Sequence, residues 1–236
     1  MGKCRTGLCV IHGSPNENGN TVQVYKRFEA LLLQKDPGIT VEEFHLQKDF
    51  NEFCRGCYTC FLKSEEKCPH RKKLEPIVGA MLDADGLVFT SPSYVLAESA
   101  QMKAFLDHLG WLFLPHRADP RMFTKSAMLI ATAAGAGTKP ANKCIRRSVR
   151  FWGVPFILQR GFNLFEIDME KVQGRRLAKL DKHLRRDASR FFRSLKRKRH
   201  INIFRWVLLQ ALRPMIKSYP EDNIDKVYWK KMGWIR

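Results

Sequence analysis

The 236 residues predict an α/β fold, a doubly wound five-stranded parallel sheet in the order 2-1-3-4-5, followed by a C-terminal helical extension. Three observations carry that expectation. Short β-rich apolar runs alternate with helical patterns through the first 165 residues, and Gly, Pro, Ser or Asn marks each change. Most of these runs are apolar throughout, as in strands covered on both faces by crossover helices. Beyond Asp168 only helical periodicity remains. The expected division is a domain of residues 1–168 and a basic extension of residues 169–236 that packs on the domain or on a partner copy.

The elements follow in order. Leu8 to His12 reads as a buried strand, and a polar loop then leads into a helix from about Thr21 to Leu33. Ile39 to His45 alternates as a second strand. Leu74, Ile77, Val78, Met81 and Leu82 share one helix face before the third strand, Gly86 to Ser91. A helix near Ser99 to Leu112 precedes the fourth strand, Ala127 to Thr132, and a helix near Pro140 to Phe151 precedes the fifth, Pro155 to Leu158. In the extension, Leu177, Leu180, Leu184, Ala188, Phe191 and Leu195 recur at three- and four-residue intervals opposite a basic face. Phe204 to Leu212 forms a second apolar stretch.

Composition narrows the classes. With 44% hydrophobic residues the chain has ample material for a core. No apolar run approaches the roughly 18–20 residues of a membrane span, and Met1 to Thr6 lacks the hydrophobic stretch of a secretory signal. A soluble, cytoplasmic protein is expected. The formal net charge is +19, yet residues 1–170 hold 22 Lys+Arg against 18 Asp+Glu while residues 171–236 hold 20 against 5, balances of +4 and +15. An excess so placed suits an anionic partner and says little about chemistry. Seven cysteines without a signal sequence argue against a secreted disulfide framework. Met1-Gly2 with Thr6, and Cys4 as a second lipid position, match a myristoylation pattern too short to carry weight.

In an open α/β sheet a ligand lies outside the carboxyl ends of the strands, where helix N-termini aim free N–H groups at an anion. The loop Gly13-Ser14-Pro15-Asn16-Glu17-Asn18-Gly19-Asn20-Thr21 places small hydroxyl and amide side chains there. It lacks the Lys of a nucleotide P-loop and the spacing of a dinucleotide loop, so a terminal phosphate monoester suits it better. The competing reading is an ordinary polar turn with Asn20 or Thr21 as helix cap. Two further strand-end loops converge on the same crevice. Thr90-Ser91-Pro92-Ser93-Tyr94-Val95 offers an aromatic ring and a Pro-shaped bend. Thr132-Ala133-Ala134-Gly135-Ala136-Gly137-Thr138 offers small residues that let backbone amides approach a flat ring.

These loops, with Cys54-Arg55-Gly56-Cys57-Tyr58-Thr59-Cys60 and Cys68, Ala84-Asp85-Gly86, Met102-Lys103, Leu106-Asp107, Tyr228-Trp229 and Gly233-Trp234, resemble the flavodoxin-like NAD(P)H-dependent FMN reductases and their relatives the iron–sulfur flavoproteins. The resemblance spans most of the chain in consistent order. It implies a flavodoxin-like domain in which Ser14, Asn16, Gly19, Asn20 and Thr21 hold the FMN phosphate. Pro92, Ser93, Tyr94 and Val95 would line the isoalloxazine, and Thr132, Ala133, Ala134, Gly135 and Gly137 would pack its other edge. It further implies an oxidoreductase in which NAD(P)H delivers hydride to FMN without a catalytic side chain, a small-molecule or protein electron acceptor, and a homodimer or higher homo-oligomer. Three positions depart from the family pattern and bear on substrate choice. Arg71-Lys72-Lys73 replaces an acidic pair, His108 stands where an Arg is usual, and Ala133-Ala134 replaces a glycine.

Cys54, Cys57, Cys60 and Cys68 are close to a compact [4Fe–4S] pattern, with a last gap resembling that of iron–sulfur flavoproteins. Structural zinc usually takes two separated pairs, and free thiols are the bland alternative. A cluster would make the chain a carrier of single electrons between [4Fe–4S] and FMN, with an acidic redox protein such as ferredoxin as partner. A reading of another class is a basic binding module. Nucleic acid fits it poorly, because the cations of residues 171–199 lie opposite a regular apolar stripe, as on a solvated amphipathic helix. Arg205-Trp206 and the following leucines suit a membrane surface better.

Overall fold

The computed structural model describes residues 6–197 and 203–236. Cys4 and the Met1-Gly2 pattern lie outside them. In chain order the elements are β1 (Gly7–His12), α1 (Asn20–Leu33), β2 (Thr40–His45), α2 (Leu46–Asp49), α3 (Thr59–Leu62), α4 (Arg71–Asp83), β3 (Gly86–Tyr94), β4 (Ala97–Glu98), α5 (Ala100–Asp107), β5 (Ser126–Ala133), α6 (Thr138–Phe151), β6 (Phe156–Asn163), α7 (Gly174–Leu195), α8 (Ile203–Lys217) and α9 (Ile224–Lys231).

Strands β2, β1, β3, β5 and β6 lie parallel in that spatial order, and β4 pairs antiparallel with the end of β3. Counted without β4, the order is the expected 2-1-3-4-5. Side-chain alternation splits the core into two layers. Cys9, Ile11, Leu87, Phe89, Ala127 and Leu129 pack with α4, α5 and α6 on one face. Leu8, Val10, Val88, Met128, Ile130 and Leu158 pack with α1 and α7 on the other. The apolar stripe of α7 thus completes the second layer beside α1, with Leu180, Leu184 and Phe191 all buried. Each such side chain contributes about 1.5–3 kcal/mol of burial.

Helices α8 and α9 form a smaller cluster around Ile216, Trp229 and Ile235. Their attachment is specific. The Trp229 indole N–H donates to the His116 carbonyl at 2.8 Å and the Tyr228 hydroxyl to the Ala118 carbonyl at 2.8 Å.

Two boundaries differ from the sequence expectation for physical reasons. The helix at Ser99 stops at Asp107 and is followed by a separate single turn at Gly110–Leu112. The fifth parallel strand continues past Leu158 to Asn163, because an edge strand exposes Gln159, Gly161 and Asn163 while burying Leu158 and Phe162. The apolar run therefore ends before the strand does.

Candidate active site

The strand register lines up the carboxyl ends, His12 pairing with Thr90 and Pro92 with Thr132. Gly13 N–H donates to the Thr90 carbonyl at 2.7 Å and the Ser99 hydroxyl donates to the Gly13 carbonyl at 2.6 Å. A side chain at 13 has no room, since a Cβ would lie 2.8 Å from Ser99 Oγ. Buried Ser14 folds the loop, donating to the Asn16 carbonyl at 2.9 Å and accepting from Asn16 N–H at 3.2 Å. Gly19 precedes α1 with no side-chain cap, so the first-turn N–H groups stay available to an anion. The Asn20 amide instead donates to the Glu166 and Ile167 carbonyls, and the Thr21 hydroxyl meets that of Thr132 at 2.6 Å. These two side chains tie loops together, and what this turn offers a phosphate is chiefly backbone.

The second loop ends in a tight hairpin. Val95 and Leu96, both at positive φ (48° and 62°), connect β3 to β4. A β-branched residue there is strained, and Val95 is 99% exposed. Pro92 is buried, Tyr94 is exposed, and Ser93 has a buried hydroxyl with no partner among the described residues. In the third loop Thr132 and Ala133 are buried while Ala134 and Gly135 are exposed. Gly137 sits at φ 101°, where a Cβ would collide with Ser93 Oγ and lie 2.8 Å from Leu96 Cα. The cradle fits a flat polar ring, with an orphan hydroxyl beside glycine-permitted close contact.

Sequence reasoning missed a fourth loop, Asn163 to Asp168. Leu164 N–H donates to the Ala133 carbonyl at 2.8 Å and Phe165 N–H to that of Ala134 at 2.7 Å, extending the β5–β6 pairing into the crevice. The signal was the Phe162/Leu164 alternation beyond the apolar run.

Beside the crevice, His12 is buried and stacks on His45, ring centroids 4.5 Å apart. Its Nε2 lies 3.0 Å from Glu43 Oε2 and its Nδ1 2.9 Å from Thr90 Oγ1. A carboxylate only accepts, so Nε2 carries the hydrogen and Nδ1 accepts from Thr90. Burial lowers the His12 pKa, and hydrogen bonds from His12 and Lys26 hold Glu43 at about 2. Ligand atoms of His12, Glu43 and His45 lie within 4.8 Å of one another, but hydrogen bonds and the Lys26 ammonium already satisfy Glu43.

All four cysteines of the cluster line one hollow of about 320 Å³, together with His70, Asp107 and His108. Cys54 and Cys57 are exposed, Cys60 and Cys68 half-buried, and all four are free thiols. Gly56 and Tyr58 at positive φ turn the chain between them. The Thr59 hydroxyl donates to Cys57 Sγ at 3.3 Å and holds that thiol below its ordinary pKa, while burial raises Cys60. No three of these sulfurs approach within 4.8 Å of one another. One zinc ion, with Zn–S near 2.3 Å, would draw them to about 3.8 Å. A donor set of four thiols spread around a hollow fits a multi-iron group better. Sequence reasoning also missed Arg117, whose buried guanidinium donates to Glu65 Oε2 at 3.0 Å, to the Cys60 carbonyl and to Asp225 on α9.

Comparison with known proteins agrees with this geometry. The family model for NADPH-dependent FMN reductases matches residues 6–164. An iron-sulfur flavoprotein of Archaeoglobus fulgidus is 27% identical over 230 residues, covering 95% of this chain and 98% of that one. Another from Clostridioides difficile is 25% identical, covering 97% and 99%. In fold the chain is similar to an FMN-dependent NADH-azoreductase from Bacillus anthracis in complex with FMN (TM-score 0.62, 14% identity, covering 79% and 100%). It is also similar to an NAD(P)H:quinone oxidoreductase from Methanothermobacter marburgensis (TM-score 0.59, 16% identity, covering 84% and 100%). With the matched segment running from the residue before β1 to Leu164, at the start of the fourth crevice loop, the chain belongs to the NADPH-dependent FMN reductase family and is an NAD(P)H-dependent flavin oxidoreductase that uses FMN.

Proposed function

We propose that FMN sits in the four-loop crevice and that Cys54, Cys57, Cys60 and Cys68 hold a [4Fe–4S] cluster, so that electrons from a reduced nicotinamide leave singly toward an acidic redox protein of the ferredoxin type. The observation that carries the second half is the convergence of all four thiols on one hollow. Bound FMN supplies the redox chemistry, taking a hydride and releasing electrons one or two at a time. The protein binds and orients. First-turn N–H groups of α1, with Ser14, Asn16 and Gly19, take the phosphate, while Asn20 and Thr21 brace the loops. Ser93 gives its unpartnered hydroxyl to a polar edge of the ring. Pro92, Tyr94 and Val95 line one side, and Thr132, Ala133, Ala134, Gly135 and Gly137 the other. Exposed apolar groups flank both sites, Tyr58 and Leu62 beside the cysteines and Tyr94, Val95 and Leu96 beside the crevice. Burying them between copies favours a homodimer or higher homo-oligomer in which one chain's cysteines approach another's crevice.

Anaerobic purification tests this. The expected protein is brown, with about four iron per chain and a shoulder near roughly 400 nm over flavin bands near about 370 and 450 nm. Cys57→Ser should lose the iron and keep the FMN. An iron-free yellow protein, unaltered by Cys57→Ser, would leave an FMN reductase that passes electrons to a small molecule such as a quinone, nitro or azo compound.

A further inference from the structure

Helix α8 buries one face and leaves the other uncovered. Leu209, Leu212 and Ile216 pack against α9 and the closing Trp234 and Ile235. On the opposite face Ile203 (78% exposed), Trp206 (53%), Val207 (52%) and Met215 (40%) join exposed Ala211 and Pro214 in a stripe at helical spacing, with no charged side chain among them. An apolar stripe more than three turns long, turned to water, marks an interaction surface.

Its location is the amino end of the sheet. Phe204 packs on Phe151 at the end of α6 (6.1 Å), under the Arg150 guanidinium at 3.7 Å, and Arg205 stacks over Phe123 at 4.2 Å, just before β5. The crevice loops leave the carboxyl ends of the same strands, so a partner on α8 leaves the crevice open. At this end lies a shallow hollow of about 620 Å³ between Phe156, which opens β6, and the end of α7. Its charged lining is Arg190, Arg193, Lys196 and Arg197, with no acid. Lys196 pairs with Asp36, whereas Arg190, Arg193 and Arg197 meet no carboxylate among the described residues.

We propose that this end of the molecule docks on an anionic membrane surface, the α8 stripe entering the lipid interface while Arg190, Arg193 and Arg197 take headgroup phosphates. Charge selects this occupant. A second copy would bring two segments of balance +15 face to face. Nucleic acid would use the cations and leave the stripe in water. An anionic bilayer satisfies both the apolar stripe of α8 and the arginine-lined hollow at the end of α7. At 15 residues α8 lies on the surface, and no described helix is long and apolar enough to cross a membrane.

The test uses the full FMN-loaded chain and large vesicles of phosphatidylcholine, with or without about one third phosphatidylglycerol, at near-physiological salt. The protein should sediment with the anionic vesicles and not with the neutral ones. Trp206→Ser with Val207→Ser should cut partitioning by about tenfold or more, and Arg190→Gln, Arg193→Gln and Arg197→Gln together by a similar factor. FMN content and NADPH oxidation should stay unchanged, showing that the variants are folded. Failure of the unaltered chain to bind anionic vesicles overturns the proposal, as does full retention in either variant. So does an oligomer that the Trp206→Ser and Val207→Ser pair dissociates, which would assign the stripe to self-association.

Discussion

Arg117 buries a full charge and spends its guanidinium on three acceptors, the Glu65 carboxylate, the Cys60 carbonyl and Asp225. Two of those acceptors lie between the third and fourth cysteines or on the third itself, and Asp225 comes from the far end of the chain. The residue therefore fixes how the cysteine segment sits against the body of the protein and keeps a positive charge near thiols that must ionise to bind iron. Replacing it by Met leaves buried Asp225 with the His116 ring alone as side-chain partner, at 2.7 Å, a change that costs at most about 3–5 kcal/mol. Arg117→Met is expected to lower unfolding free energy by up to that amount in a urea titration and to lower iron per chain, with FMN occupancy retained. Lys at the same position keeps the charge but not the planar fork, so an intermediate iron content should result. Equal iron in all three proteins would confine Arg117 to a structural role.

At the scale of elements, the crevice depends on the β3–β4 hairpin lying against the loop between β5 and α6. Gly137 is the contact point, combining positive φ with a backbone approach that no Cβ permits. Gly137→Ala should lose about 1–3 kcal/mol of stability and weaken FMN binding, read by calorimetry and flavin fluorescence quenching. Gly79→Ala, in α4 away from the crevice loops, is the control, since nothing lies within 4 Å of a Cβ there and φ is not positive. Equal effects at the two positions would remove the steric argument. Much of this layout was legible in advance. β1, β3 and β5 are buried on both faces and read as unbroken apolar runs, and the loops after them announce themselves by Gly, Ser and Pro. β4 is two residues long, and α3 opens on left-handed Tyr58, so neither has a period to detect. The fourth loop hides behind the polar half of an edge strand. Arg117 meets Cys60 and Asp225 across 57 and 108 positions, and no local pattern encodes a partner so distant.

For the whole molecule, charge and burial together set the response to acid. The chain carries +19 before any of its seven histidines is protonated, so each proton taken up adds to self-repulsion. Burial holds His12 and His108 below the ordinary histidine value of about 6.5. For His12, burial outweighs the Glu43 carboxylate, whose hydrogen bond and charge favour the cation, and the neighbouring His45 and Lys26 act in the same direction as burial. Below about pH 6.5 the unfolded chain binds protons that the folded chain refuses. These histidines therefore stabilise above that pH, and their contribution drains away as pH falls toward their folded values. Glu43 acts further down, since it titrates at about 2 when folded and near about 4.3 when unfolded, and its contribution is lost between those values. The expected Tm is level between about pH 7 and 8, falls from 7 to 5, and falls again below about 4.5. His12→Asn should start from a lower Tm at pH 7 and descend less steeply toward pH 5, because one of the groups resisting protonation is gone. A variant profile parallel to that of the unaltered chain would take His12 out of the account and leave the slope to His108 and the net charge.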